Sequence, residues 1–113
     1  KIRFVLMDAP HRMKPQQWEN VVGVVVDGPE WQFKQYPRGF QNPVELFNRT
    51  CGVNIRYADE VEQSTVRGWR VHRLQISRGT RHADMIVATE FWRKIEQHIK
   101  LKRREFLPAQ QRR

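Results

Sequence analysis

A chain of 113 residues fits one domain and can bury roughly two-thirds of the surface it exposes when unfolded. Its composition, 39% hydrophobic with four Trp and six Phe, can supply a core and argues against a disordered segment. A formal net charge of +9 favours polyanionic partners, whether nucleic acid, phosphorylated peptide, acidic protein or anionic lipid.

In chain order, residues 4–7 form a short apolar run that reads as a strand. Pro10 and Pro15 bracket a polar connector, and Pro15 suits the first position of a short helix through Trp18. Residues 21–26, almost all β-branched, read as the clearest strand, buried on both faces and ended by Asp27-Gly28-Pro29. Trp31, Phe33, Tyr36 and Phe40 are spaced for a short turn packed against the sheet. Asn42-Pro43-Val44-Glu45 is a helix start: Asn42 caps, Pro43 suits the first turn and Glu45 completes a capping-box-like pair. That helix is expected to end near Cys51-Gly52, with Gly52 as a left-handed cap. Val53, Ile55 and Tyr57 alternate as in a strand, and residues 60–66 are polar, a loop or one helical turn. Residues 69–77 read as another strand with Val71, Leu74 and Ile76 as its apolar members, followed by a turn over residues 78–81. Asp84 is placed to cap a helix running to about Arg104. Ala88, Phe91, Trp92, Ile95 and Ile99 share one face of it, and Lys100, Lys102, Arg103 and Arg104 complement its dipole. Pro108 prevents continuation.

Strands alternate with helices, which favours an α/β sheet with packed helices over a helical bundle. Only three good strands are visible, so a further N-terminal strand is expected to be missing. The start at Lys1 reads as a piece of a longer protein. Residues 1–104 are expected to form the domain and residues 105–113 a basic tail. The lone Cys51 rules out an internal disulfide and points to a reducing compartment, nucleus or cytosol. No apolar run approaches the ~20 residues of a membrane span.

Catalytic patterns fall short. Gly28 and Lys34 stand at phosphate-loop spacing, but the second glycine is replaced by Phe33 and the Mg²⁺-binding hydroxyl by Gln35. Pro29 also lacks an N–H for a phosphate cradle. His11, His72, His82 and His98 have no His or Cys partner at metal-ligand spacing. Cys51 has no flanking catalytic signature, and Ser64, Thr65 and Ser77 lack a nucleophile elbow. No cofactor, metal or enzymatic activity is expected.

The charge excess is concentrated. Residues 1–63 hold eight basic and eight acidic groups, whereas residues 64–113 hold thirteen basic and four acidic ones. Arg67, Arg70, Arg73, Arg78 and Arg81 fall within fifteen residues. Strand alternation places Arg70, His72 and Arg78 near one face, while Arg73 and Arg81 depend on register and turn. Two readings stand. The cluster (Arg67, Arg70, His72, Arg78 and Arg81) is an anion-recognising patch, since guanidinium forks pair bidentately with phosphate. Alternatively it is a solvated strand face salt-bridged to Asp59, Glu60 and Glu62. The run 100–104, with Arg112 and Arg113, reads as dipole complementation or a loose nucleic-acid contact. The four tryptophans serve the core, with Trp31, beside a Gly-Pro turn, the candidate for an exposed aromatic contact.

Several spaced blocks carry a resemblance. They are Pro15-Gln16-Gln17-Trp18, residues 21–26, Asp27-Gly28-Pro29-Glu30-Trp31-Gln32-Phe33-Lys34, Pro43-Val44-Glu45-Leu46-Phe47, then Trp69 and Phe91-Trp92. Together, over residues 14–102, they resemble the C-terminal domain of the parafibromin family, fungal counterparts included. The resemblance implies a Ras-like three-layer α/β sheet with flanking helices, lacking a functional nucleotide-binding site. It further implies a nuclear, non-catalytic scaffold in the RNA polymerase II-associated factor complex. The implied partners are other subunits of that complex, phosphorylated tails of the polymerase and its elongation factor, and chromatin. Weak, sequence-blind nucleic-acid contact is the alternative. An ATP analogue with Mg²⁺ is therefore expected not to be retained at micromolar concentration, and retention in equilibrium dialysis would overturn the reading of residues 28–35.

Overall fold

The computed structural model describes residues 2–26, 33–62 and 64–111, and for Ser64, Thr65 and Arg81 the backbone alone. Helix α1 spans Pro15–Trp18, strand β1 Gly23–Val25, helix α2 Pro43–Arg49 and strand β2 Cys51–Tyr57. Helix α3 spans Ser64–Arg67, strand β3 His72–Ile76 and helix α4 Asp84–Lys102. The three strands form one parallel sheet in the order β1-β2-β3, with Gly23 opposite Cys51 and Val53 opposite His72.

Helices cover both faces of the sheet. On one face, Trp18, Phe33, Tyr36, Phe40, Leu46 and Phe47 form a buried cluster with Val26, and Val24, Trp69 and Val71 pack against it. Phe33 sits at its centre, 5.2 Å from Trp69, 5.6 Å from Tyr36 and 6.0 Å from Phe47 between ring centroids. On the other face, Ile95 and Ile99 of α4 pack over Cys51 and Val53, joined by Leu107.

α1 and the start of α2 form as their local sequence predicts. Lys14 and Gln17 close α1 reciprocally, and the Asn42 side chain accepts a 2.8 Å hydrogen bond from the Val44 N–H. At α4, Asp84 is the first helical residue and Ala83 the cap, one position from the expectation. Its apolar stripe is narrower than predicted. Ile95 and Ile99 are buried, Phe91 is half-buried, Ala88 is exposed, and Trp92 is 41% exposed. Packing continues past Arg104, since Leu107 is buried.

Three expectations change. Residues 4–7 are not a strand, and Val5 and Leu6 are more than 80% exposed. An apolar run gains a strand's stability only from a paired neighbour, and residues 2–8 hydrogen-bond to no described residue. The doubly buried strand is β2 rather than β1, because β2 is central and β1 lies at the sheet edge, where Val25 is 48% exposed. Gly52 is a strand residue, not a helix cap; α2 ends at extended Thr50, whose hydroxyl donates to the Leu46 carbonyl at 2.7 Å. Glycine serves there by lacking a side chain. A Cβ at Gly52 would stand 2.5 Å from Phe47 Cδ1 and 2.7 Å from Val71 Cγ1.

β2 also carries a buried polar residue. Asn54 Nδ2 donates to the Val26 carbonyl at 2.7 Å, tying the chain leaving β1 to the central strand.

Two glycine substitutions separate close packing from simple crowding. Gly52→Ala meets an aromatic ring and a β-branched side chain, and should lose about 1–3 kcal/mol in urea denaturation. Gly23→Ala meets chiefly the mobile Cδ1 end of Ile95 and should lose less. Equal midpoints for both variants would contradict this account of the α2 face.

Candidate anion-binding surface

α3 and β3 bring Arg67 and Arg73 to one carboxylate. Arg67 Nε lies 3.3 Å from Glu62 Oε2, and Arg73 Nη1 lies 3.0 Å from Oε1. Desolvation of Glu62, whose side chain is 15% exposed, raises its pKa. The bonds from Arg73 and Arg67 outweigh that and hold the carboxyl below its usual range.

Arg78 lies beyond the carboxyl end of β3. Its Nε is 3.3 Å from Asp59 Oδ2, and its guanidinium stacks 3.7 Å from the Tyr57 ring centroid. Both members of this ion pair are more than half exposed, so the pair is weak and open to exchange.

His72 faces α4. Burial lowers its pKa, Lys94 lowers it further and Glu90 opposes them. Arg70 sits instead by α2, where it lines a cleft of about 290 Å³ with Val44, Phe47, Asn48 and Trp69. Its guanidinium has no hydrogen bond or ion pair to a described residue. The structure thus does not gather Arg70, His72 and Arg78 on one face. Regular strand begins only at His72 and ends at Ile76, so alternation extends neither back to Arg70 nor through the bend at Arg78. The Arg81 side chain and Trp31 lie outside the described residues.

The basic run 100–104 belongs to a second site, to which Arg49 is the unexpected contributor. Arg49 at the end of α2 and Lys102 and Arg103 at the end of α4 line a shallow cleft of about 610 Å³ with Trp18, Glu19, Phe40 and Asn48. Arg49 sits 5.2 Å from the Phe40 ring centroid. It packs against Gly39, whose positive φ of 92° glycine tolerates and whose missing side chain leaves room for the guanidinium. Lys102 Nζ donates to the Asn48 carbonyl at 3.3 Å and to Asn48 Oδ1 at 3.0 Å. Arg103, 17% exposed, donates to the Val21 and Glu19 carbonyls, pairs with Glu105 at 2.9 Å and stacks on Phe106. The basic run at the end of α4 therefore fastens α1 and α2 as well as complementing a dipole. No local pattern announces this site, because Arg49 and Lys102 meet only through the tertiary fold.

His98 lies beneath the cleft, with Nε2 3.2 Å from the Arg49 carbonyl. Burial lowers its pKa, the Arg49 carbonyl opposes that, and Lys102, Arg103 and His72 lower it further. Cys51 is a different case. Its thiol contacts the Lys94 carbonyl at 3.7 Å, and burial pushes its pKa up to about 11 against the pull of Lys94. A thiol so protonated is a poor nucleophile at neutral pH. Phe33, where a phosphate loop requires glycine, is buried in the aromatic cluster. Among the described residues, no three His, Cys, Asp or Glu converge to hold a metal, and no helix is long and apolar enough to cross a membrane.

The family profile described as RNA polymerase II accessory factor, Cdc73 family, C-terminal, matches residues 1–98. The chain belongs to the Cdc73 family. A CDC73 homolog from Arabidopsis thaliana is 38% identical over 99 residues, covering 86% of this chain and 23% of the relative. Cell division control protein 73 of Saccharomyces cerevisiae is 30% identical over 99 residues, covering 87% of this chain and 25% of the relative. The Schizosaccharomyces pombe protein of the same name is 30% identical over 95 residues, covering 84% and 25%. The solved conserved domain of yeast Cdc73 superposes with a TM-score of 0.72 at 26% identity, over 84% of this chain and 59% of that one. This Cdc73-family chain thus spans about a quarter of the length of the curated relatives and carries the small α/β fold of their conserved domain.

The two depressed histidines set a pH dependence. At pH values just below the ordinary histidine value of ~6.5, the unfolded chain protonates His72 and His98 while the folded chain resists. Stability is therefore full above that value and falls as pH drops below it. The melting temperature should decrease between pH 7 and 5, less so in His98→Gln. A flat profile over that range would contradict the partial desolvation of these imidazoles.

Proposed function

We propose that this domain is a non-catalytic recruitment module of a transcription elongation complex. On this reading it has a Ras-like architecture without nucleotide chemistry and acts in the nucleus on chromatin. It holds phosphorylated tails of RNA polymerase II or of an elongation factor, beside other subunits of the polymerase-associated factor complex. The observation that carries the reading is membership of a family described as an RNA polymerase II accessory factor. The concentration of the +9 charge in residues 64–113 supports an anionic partner.

Among Arg67, Arg70, His72, Arg78 and Arg81, which the fold spreads over more than one face, the roles divide by how each charge is already engaged. Arg67 is engaged with Glu62. Arg70 has no described partner, and Arg78 can exchange an exposed carboxylate for phosphate. These two are the phosphate contacts, and Trp31, outside the described residues, is the aromatic contact the sequence offers.

Fluorescence anisotropy with serine-phosphorylated and unmodified repeat-tail peptides at two salt concentrations tests this. Phosphorylated peptide should bind more tightly, and Arg70→Ala should weaken it roughly ten- to hundred-fold, the loss of one charge-assisted contact of about 1.5–3 kcal/mol. Equal binding of both peptides would reject the phosphopeptide reading. If affinity instead follows nucleic acid of any sequence and falls steeply between ~50 and 200 mM salt, the domain is a backbone-binding module.

A further inference from the structure

We propose that the cleft framed by Arg49, Lys102 and Arg103 is a phosphate subsite, and that a phosphorylated segment reaches it by crossing α2 from the Arg70 cleft. The phosphorylated segment as carrier rests on the function proposed above; the anion chemistry of the cleft does not.

Three observations carry it. The first is an unspent charge. The Arg49 guanidinium has no hydrogen bond or ion pair to any described residue. It is nevertheless held in place, stacked on Phe40 and packed against Gly39. A held guanidinium with free donors has already lost part of the side-chain entropy that binding phosphate would cost, and its fork suits two phosphate oxygens. Lys102 stands beside it with two contacts, both to Asn48, leaving one ammonium hydrogen.

The second is the local field. Among the described residues, Arg49, Lys102 and Arg103 face Glu19 as the one carboxylate lining the cleft, and of the three cations only Arg103 has an acidic partner, Glu105. The balance is positive, and it is felt by His98, whose proton affinity both Lys102 and Arg103 reduce.

The third is continuity. Asn48 lines both the Arg49 cleft and the Arg70 cleft, so the two adjoin at the last turn of α2. A chain crossing one helix spans on the order of 10 Å, which about three extended residues cover. Two phosphates separated by that length can occupy both clefts at once. The Arg49 cleft lies where β1 and β2 begin, the opposite edge from the carboxyl-end crevice that nucleotide-binding α/β sheets use. It is thus distinct from any remnant of a nucleotide site.

The test uses inorganic phosphate as one probe. Repeat-tail peptides carrying no, one or two phosphoserines three residues apart are the other. Phosphate should shift the Trp18 indole N–H resonance saturably, and Arg49→Gln should abolish the shift. The doubly phosphorylated peptide should bind at least ten-fold more tightly than either singly phosphorylated one. Arg49→Gln and Lys102→Gln should each remove that gain, while Arg70→Gln lowers affinity and leaves the phosphate-induced Trp18 shift intact. Arg49→Lys, which keeps the charge, guards against loss of fold and should retain part of the shift. An unmoved Trp18 resonance, or an undiminished two-phosphate gain in Arg49→Gln, overturns the cleft proposal even if phosphopeptide binding persists through Arg70. Saturable phosphate binding at Arg49 with no peptide preference keeps the anion site and rejects its phosphopeptide carrier.

Discussion

Strand β2 has no solvent side, and the rest of the structure follows from the need to cover it. Cys51, Gly52, Val53 and Asn54 are all buried, so each face needs its own layer. Gly52 lets Phe47 and Val71 approach the sheet directly, which brings α2 and the aromatic cluster close on one side. Cys51 and Val53 take Ile95 and Ile99 on the other. The strand's one buried amide is satisfied by the Val26 carbonyl, so the hydrogen bond that removes a desolvation penalty also fixes where the chain leaves β1.

Sequence and structure agree where information is local. The Asn42 cap, the Pro15 helix start and the periodicity of α4 need only a few neighbours to form, and each is found near its expected position. They part where burial decides. A run of valines and a mixed run that includes Asn54 and Arg56 differ in propensity, yet strand order made the second the interior strand, because position in a sheet outweighs intrinsic preference. Gly52 beside a helix end looked like a cap for the same reason. Its actual role lies in contacts with Phe47 and Val71, which no short window contains. The basic surface divides in the same way. Arg70 stands out from a local density of arginines, whereas Arg49 is a solitary cation until α4 folds across the sheet and sets Lys102 beside it.

Counting charges alone describes this surface poorly. Arg67 and Arg73 share Glu62, and Arg103 is engaged with two carbonyls and Glu105. These groups contribute to the long-range field that draws an anion in, but their donors are largely taken. Arg49 and Arg70 combine the same charge with open donors, and they flank one short helix. In a Cdc73-family domain, affinity for polyanions in general and recognition of a particular phosphate pattern can therefore reside in different arginines.

The clamp from Arg103 to the carbonyls of Val21 and Glu19 joins residues 82 and 84 positions apart in the chain. Contacts of such sequence separation close a loop that spans most of the domain, and loop closure is the slow, entropically costly part of assembling a small fold. The adjacent pair α2–β2, separated by Thr50 alone, has no such barrier. The edge that joins α1, α2 and α4 closes only when the last helix is in place. The final turn of α4 thus covers the amino ends of β1 and β2 through contacts that no local segment of the chain can supply.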